Sequence, residues 1–155
     1  MKVIFLDIDG VVCLHKHKTD WETDEEKFDA ECCCHLKEIM QETDSKLVLS
    51  SSWRLFPESF AFVLEQFEPY GITLEDFIGI TPLLGDRPKE ILQFLKNHKE
   101  IDSFVAIDDE MYYCDDFPYD RLILTEVYSG ITEIIRDLCI ERLKRGMQNG
   151  RADGV

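Results

Sequence analysis

Asp7 and Asp9 stand one residue apart behind the apolar run Val3-Ile4-Phe5-Leu6, and Asp108 and Asp109 stand side by side behind Phe104-Val105-Ala106-Ile107. A third run, Leu47-Val48-Leu49, ends in Ser50, Ser51 and Ser52. If these runs are strands of one parallel sheet, their carboxyl ends open on a common crevice and the three polar groups converge there. Carboxylates crowded together repel one another, and burying them costs free energy. A divalent cation resolves that conflict. Magnesium suits the donor set, since it takes carboxylate and carbonyl oxygens plus water, usually beside a substrate phosphate. The competing reading has Asp7 and Asp9 capping a turn and Asp108 and Asp109 pairing with surface bases. It leaves unexplained why both clusters fall at strand ends.

The elements that must position these residues are legible in the hydrophobic pattern. Short runs rich in Val, Ile and Phe alternate with stretches of helical period, which predicts an α/β fold: a central parallel sheet with helices on both faces. The expected strands are Lys2–Asp7, Lys46–Ser50, Phe77–Ile80, Ser103–Asp108 and Arg121–Leu124. A helix beginning near Cys33 carries Leu36, Ile39 and Met40, and a second carries Phe60, Val63, Leu64 and Phe67 and ends near Pro69-Tyr70-Gly71. Pro88 opens a third, which buries Ile91, Leu92 and Leu95. Gly130 introduces the last, with Ile131, Ile134, Ile135, Leu138 and Leu143 on its apolar face. Residues 1–145 are expected to form a single domain, and the polar, glycine-rich 146–155 to be a disordered tail.

The net charge of −15 opposes non-specific attraction to nucleic acid or anionic membranes, although a local basic groove is compatible with it. The N-terminal apolar run meets Asp7 too soon for a signal peptide or membrane span, so a cytoplasmic protein with no membrane association is expected. Acid is concentrated between Asp20 and Glu31, as a solvated loop or lid would have it. Cys32, Cys33 and Cys34 are consecutive, which suits neither a disulfide framework nor a tetrahedral zinc site with His35. They are read as reduced thiols, one or two of them buried on a helix. His15 and His17, between lysines, read as part of a basic loop. The sequence carries no signal of oligomeric state.

Phe5-Leu6-Asp7-Ile8-Asp9-Gly10-Val11 resembles the first motif of the haloacid-dehalogenase (HAD) superfamily. Leu47-Val48-Leu49-Ser50 resembles its second, Arg87-Pro88 its third and Ile107-Asp108-Asp109 its acidic fourth, all in order. Leu49-Ser50-Ser51-Ser52-Trp53-Arg54, Thr81-Pro82, Arg87 and Glu90-Ile91 are similar, more narrowly, to the HAD domain found in Swiss Army Knife RNA repair proteins. The chain departs from the commonest pattern in having Arg87 where a lysine is usual, and Lys89 is the alternative bearer of that charge.

The resemblance implies a Rossmann-like three-layer sandwich and a magnesium-dependent phosphatase. Asp7 would attack phosphorus, and Asp9 would protonate the leaving oxygen and later activate water. Asp7, the Asp9 main-chain carbonyl and Asp108 would hold Mg2+, with Asp109 assisting the metal or orienting its neighbours. Ser50 and Arg87 would hold the phosphoryl oxygens. Ser51 either touches substrate or serves turn chemistry. Trp53 and Arg54 either clamp the substrate or cap the core and pair with an acidic neighbour.

Members of the superfamily often carry an inserted cap. Here Cys13 to Asp44 must also supply a helix, and Ser50 to Arg87 has little chain to spare, so the site is expected to be open. Openness favours a bulky phosphorylated substrate, such as a polynucleotide end or a phosphoprotein. A small metabolite fits if the acidic segment folds over the crevice. A receiver-like signalling domain is disfavoured because the order of its acidic motifs is reversed here and Gly79 stands near the third strand. A phosphate-binding module without turnover is disfavoured by the intact Asp7 and Asp9.

Overall fold

Every expected strand forms, and each joins its neighbours in parallel. The computed structural model describes residues 1–14 and 27–147, and in it β1 (Lys2–Leu6), β2 (Ser45–Leu49), β3 (Phe77–Ile80), β4 (Ser103–Asp108) and β5 (Leu122–Leu124) build one sheet of order β3-β2-β1-β4-β5. The observed ends lie within a residue of those expected. The histidines at 15 and 17, most of the acidic segment and residues 148–155 lie outside the described residues.

Alternation along β1 shows how the layers form. Ile4 and Leu6 enter a core shared with α1 (Ala30–Thr43), α2 (Pro57–Phe67) and α4 (Glu133–Arg145). Val3 and Phe5 enter a second core, with Ile91 and Phe94 of α3 (Arg87–Asn97) on the opposite face. Phe5 meets Phe94 and Phe104 edge to face, at centroid distances of 5.7 and 5.6 Å. Both faces of β1 are therefore dry, which is why its sequence reads as a continuous apolar run.

Two helix readings need correction. The first helix begins at Ala30, earlier than the apolar period suggested, because Asp29 caps it by accepting from the Cys32 amide at 3.1 Å. Asp29 and Glu31 thus belong to a helix start, where a negative charge favours the helix dipole. In the last helix, Thr132 is the cap, Cys139 and Leu143 are the buried positions, and Ile134 is 79% exposed. The rest of the expected face packs as read, Leu143 buried and Ile135 and Leu138 against the same core, while Ile131, though buried, precedes the helix.

Arg121 fastens α4 to the sheet. Its fully buried guanidinium donates to Ser103 Oγ and to the carbonyls of Phe104, Arg142 and Gly146. No helix among the described residues is long and apolar enough to cross a membrane.

Candidate active site

The ladder continues one residue past each of four strands. Beyond β3, β2, β1 and β5, the amides of Thr81, Ser50, Asp7 and Thr125 donate to Leu49, Leu6, Ile107 and Asp108 at 3.1, 3.0, 3.1 and 2.9 Å. With Asp108 at the end of β4, these residues make a buried polar row across the sheet's carboxyl edge. The strand order reverses direction between β1 and β4, the switch point where ligands bind open α/β sheets. Asp7 and Asp108 stand on the two sides of that switch.

Asp109 completes a trio with them, one carboxylate oxygen of each lying within 4.8 Å of the others. Gly10 makes room for it: its φ is +78°, and a Cβ there would come 2.5 Å from Asp109 Oδ2. Asp108 is fully buried, and it accepts from Arg87 Nη1 at 2.8 Å, the Tyr112 hydroxyl at 2.7 Å and the Glu110 amide at 3.1 Å. The same Arg87 nitrogen lies 3.1 Å from Asp7 Oδ1.

The electrostatics follow from this crowding. Burial first, and the Asp108 charge second, push Asp7 up to about 8, with Arg87 pulling the other way. Asp109 is raised as well, mainly by burial. Burial works against the charge of Arg87, but Asp7 and Asp108 outweigh it and hold the guanidinium above its ordinary value. Three all-oxygen ligands with an excess of negative charge fit magnesium. Ser50 Oγ adds a second sign of a missing ligand, being buried without a hydrogen-bond partner, as is Thr81 Oγ1.

The Asp9 carboxylate stands apart from the trio. Its Oδ2 accepts from Trp53 Nε1 at 2.9 Å, while the Trp53 ring stacks on Phe62 at 5.6 Å and meets Phe28 edge-on. Any metal contact by Asp9 therefore falls to its main-chain carbonyl.

The remaining expected site residues separate sharply. Arg87 reaches the carboxylates, while Lys89 is exposed on α3 and makes no ion pair among the described residues. Arg54, left open between the substrate and an acidic partner, has that partner in Glu90. Its guanidinium donates to the carbonyls of Thr81, Ser50, Ser51 and Pro82 and pairs with Glu90 at 3.1 Å, both side chains being about 5% exposed. It ties the loops after β2 and β3 together. Ser51 is likewise committed to the turn, its Oγ accepting from the Trp53 amide at 3.2 Å and its carbonyl from Arg54.

Two residues of the site, Tyr112 and Thr125, went unnoticed in the sequence, and Glu90 was quoted there without a role. Tyr112 holds Asp108, Thr125 Oγ1 donates to the Gly10 carbonyl at 2.8 Å, and Glu90 accepts from the Leu84 and Gly85 amides. The tyrosine sits in a loop without period, and the threonine is 115 residues from its partner. Only the position of Thr125 behind a strand, parallel to Ser50, was a signal. The consecutive cysteines behave as read: Cys32 and Cys33 are buried on α1, burial pushes the Cys33 thiol up, and among the described residues no metal-ligating cluster includes them.

A parallel sheet with an acidic trio at its switch point, a bridging cation and a further aspartate two residues after the first defines a Rossmann-like α/β domain built around anion chemistry. The chain belongs to the HAD superfamily, residues 3–134 matching the family described as the HAD domain in Swiss Army Knife RNA repair proteins. That membership points to hydrolase and phosphatase chemistry. No curated protein and no solved structure matches the chain.

Proposed function

We propose that the protein is a magnesium-dependent phosphohydrolase that cleaves a phosphate monoester through an aspartyl-phosphate on Asp7, with a polynucleotide end as substrate. The observation that carries the reading is the Asp7–Arg87–Asp108 bridge at the switch point, 3.1 and 2.8 Å on its two sides, with Asp109 beside it. The family's occurrence in RNA repair proteins favours the polynucleotide.

Asp7 Oδ attacks phosphorus as the ester P–O bond breaks, and Asp9 delivers a proton to the departing oxygen. Water then attacks the phosphorus of the aspartyl-phosphate, Asp9 takes its proton, and the Asp7 carboxylate is restored with release of phosphate. Asp7, Asp108, Asp109 and the Asp9 main-chain carbonyl would hold magnesium, which would supply positive charge to offset repulsion between nucleophile and phosphoryl oxygens. Arg87 balances Asp7 and Asp108, while Ser50 Oγ offers its unused donor to a phosphoryl oxygen. Trp53 fixes the Asp9 carboxyl clear of the trio, free to act on the leaving group and then on water.

The test is phosphate release from p-nitrophenyl phosphate, 3′- and 5′-phosphorylated oligonucleotides and phosphopeptides, with magnesium or chelator, for the wild type and Asp7→Asn. Magnesium-dependent release, fastest on an oligonucleotide and lost in Asp7→Asn, is expected. Full turnover by Asp7→Asn would remove Asp7 as nucleophile, and preference for phosphopeptides would replace the substrate.

A further inference from the structure

Beside the phosphoryl site runs a cleft of about 400 Å³ whose lining includes Leu55, Leu83, Met111, Tyr113, Arg87 and Tyr112. Arg87 touches both Asp7 and Asp108, and the Tyr112 hydroxyl touches Asp108, so the cleft adjoins the catalytic carboxylates through these two side chains. A phosphate ester seated at Asp7 would extend its leaving group into it.

The lining is an even mix of apolar and polar groups. Leu83 and Tyr113 are 69% and 89% exposed, and the Tyr113 side chain has no ring or hydrogen-bond partner among the described residues. Large exposed side chains gathered at a cleft mark a binding surface rather than core. Asp86 and Glu110 add carboxylates to the lining. Its two arginines are already spoken for, Arg54 by Glu90 at 3.1 Å and Arg87 by Asp7 and Asp108. A polyanionic strand needs a succession of cations along its path, and this cleft offers none beyond the phosphoryl end. What it does offer is exposed apolar side chains, one of them an aromatic ring, with carboxylate hydrogen-bond acceptors among them, in a volume at the small end of ligand clefts. A nucleobase has that complementary form, with apolar faces for stacking and exocyclic amino groups that carboxylates accept from.

We infer that this cleft is the leaving-group subsite and takes one nucleobase, so that the protein reads a single terminal nucleoside rather than a length of strand, with Tyr113 and Leu83 setting the preference. The inference rests on the phosphohydrolase reading of the adjacent carboxylates.

The experiment is calorimetric binding, in magnesium, of adenosine 3′- and 5′-monophosphate, phenyl phosphate and glycerol 3-phosphate to Asp7→Asn protein, alone and combined with Tyr113→Ala or Leu83→Ala. Phosphate release from the same esters by the Asp7-bearing protein is followed in parallel. One of the adenosine esters is expected to bind roughly tenfold more tightly than glycerol 3-phosphate, the scale of stacking one base. Each alanine should remove most of that margin and leave glycerol 3-phosphate unchanged. Equal binding of adenosine and glycerol esters, or a margin indifferent to both alanines, would overturn the inference. Phenyl phosphate binding as tightly as the adenosine esters would replace the nucleobase with a bare aromatic ring such as phosphotyrosine, and so overturn it too. Base-dependent binding without phosphate release would sustain the cleft and overturn the hydrolase. Release without base dependence would do the reverse.

Discussion

Trp53 Nε1 donates to Asp9 Oδ2 at 2.9 Å, so the side chain proposed as proton carrier is held by an indole packed between Phe62 and Phe28. Trp53→Phe keeps a ring in that stack and removes only the donor. Hydrogen bonds to charged groups contribute about 1.5–3 kcal/mol, so kcat/KM on an alkyl phosphate should fall roughly tenfold or more. For p-nitrophenyl phosphate, whose leaving group departs without a proton, kcat/KM should lose little, because it reports transfer to Asp7 and not the later attack of water. Steady-state kinetics on the two esters decide it, since equal losses would make Trp53 a packing residue only.

Arg54 and Glu90 form a buried pair whose partners are loops, not substrate. Arg54→Met leaves Glu90 charged and uncompensated, which costs on the order of 3–5 kcal/mol. Adding Glu90→Gln removes that charge, while the amide oxygen still accepts from Leu84 and Gly85, and much of the loss should return. Urea denaturation of the single and double variants measures this, and two losses that simply add would refute the coupling.

How far the sequence disclosed all this depended on the range of each signal. The strands and the convergence of Asp7, Ser50 and Asp108 were legible because a parallel sheet buried on both faces forces continuous apolar runs, and those runs end at the crevice. Arg87 was legible through the resemblance, which sets a basic residue at the helix that Pro88 opens. The division between Arg54 and Arg87 was not, because both are arginines beside loops, and only the fold decides which meets carbonyls and which meets aspartates. Ser51 stayed open for a related reason: a hydroxyl next to a strand end serves a ligand or its own turn with the same local sequence. The start of α1 was misplaced because the capping Asp29 lies inside an acidic run that hides it.

Asp7 gives the metal-free protein a pH dependence of known sign. Its folded value of about 8 lies above its ordinary 3.8, so the folded state holds a proton that the unfolded chain has released. Its contribution to stability is therefore full below pH 4 and is lost as pH rises through 8, at up to about 1.4 kcal/mol per pH unit. Asp7→Asn cannot ionise there and should escape that loss. In chelator, urea midpoints at pH 5.5, 6.5 and 7.5 should separate progressively in favour of the variant, and magnesium should narrow the gap by favouring ionised Asp7. Parallel midpoints across that range would show that Asp7 ionises normally.

Arg87 meets both carboxylates through one nitrogen, Nη1, instead of spreading its fork across them. It acts there as a point charge, which is what a lysine ammonium supplies. Arg87→Lys should therefore keep kcat/KM within roughly tenfold of wild type, the remaining loss reflecting reach. Arg87→Ala leaves Asp7 and Asp108 unbalanced and should lose on the order of a hundredfold or more, as removal of one preorganised charge does. Lys89→Ala, on an exposed turn of the same helix, should change neither constant. Kinetics of the three variants order the roles directly. A severe loss in Arg87→Lys would mean that the second guanidinium nitrogen contacts the phosphoryl group, so that the arginine is required for its shape as well as its charge.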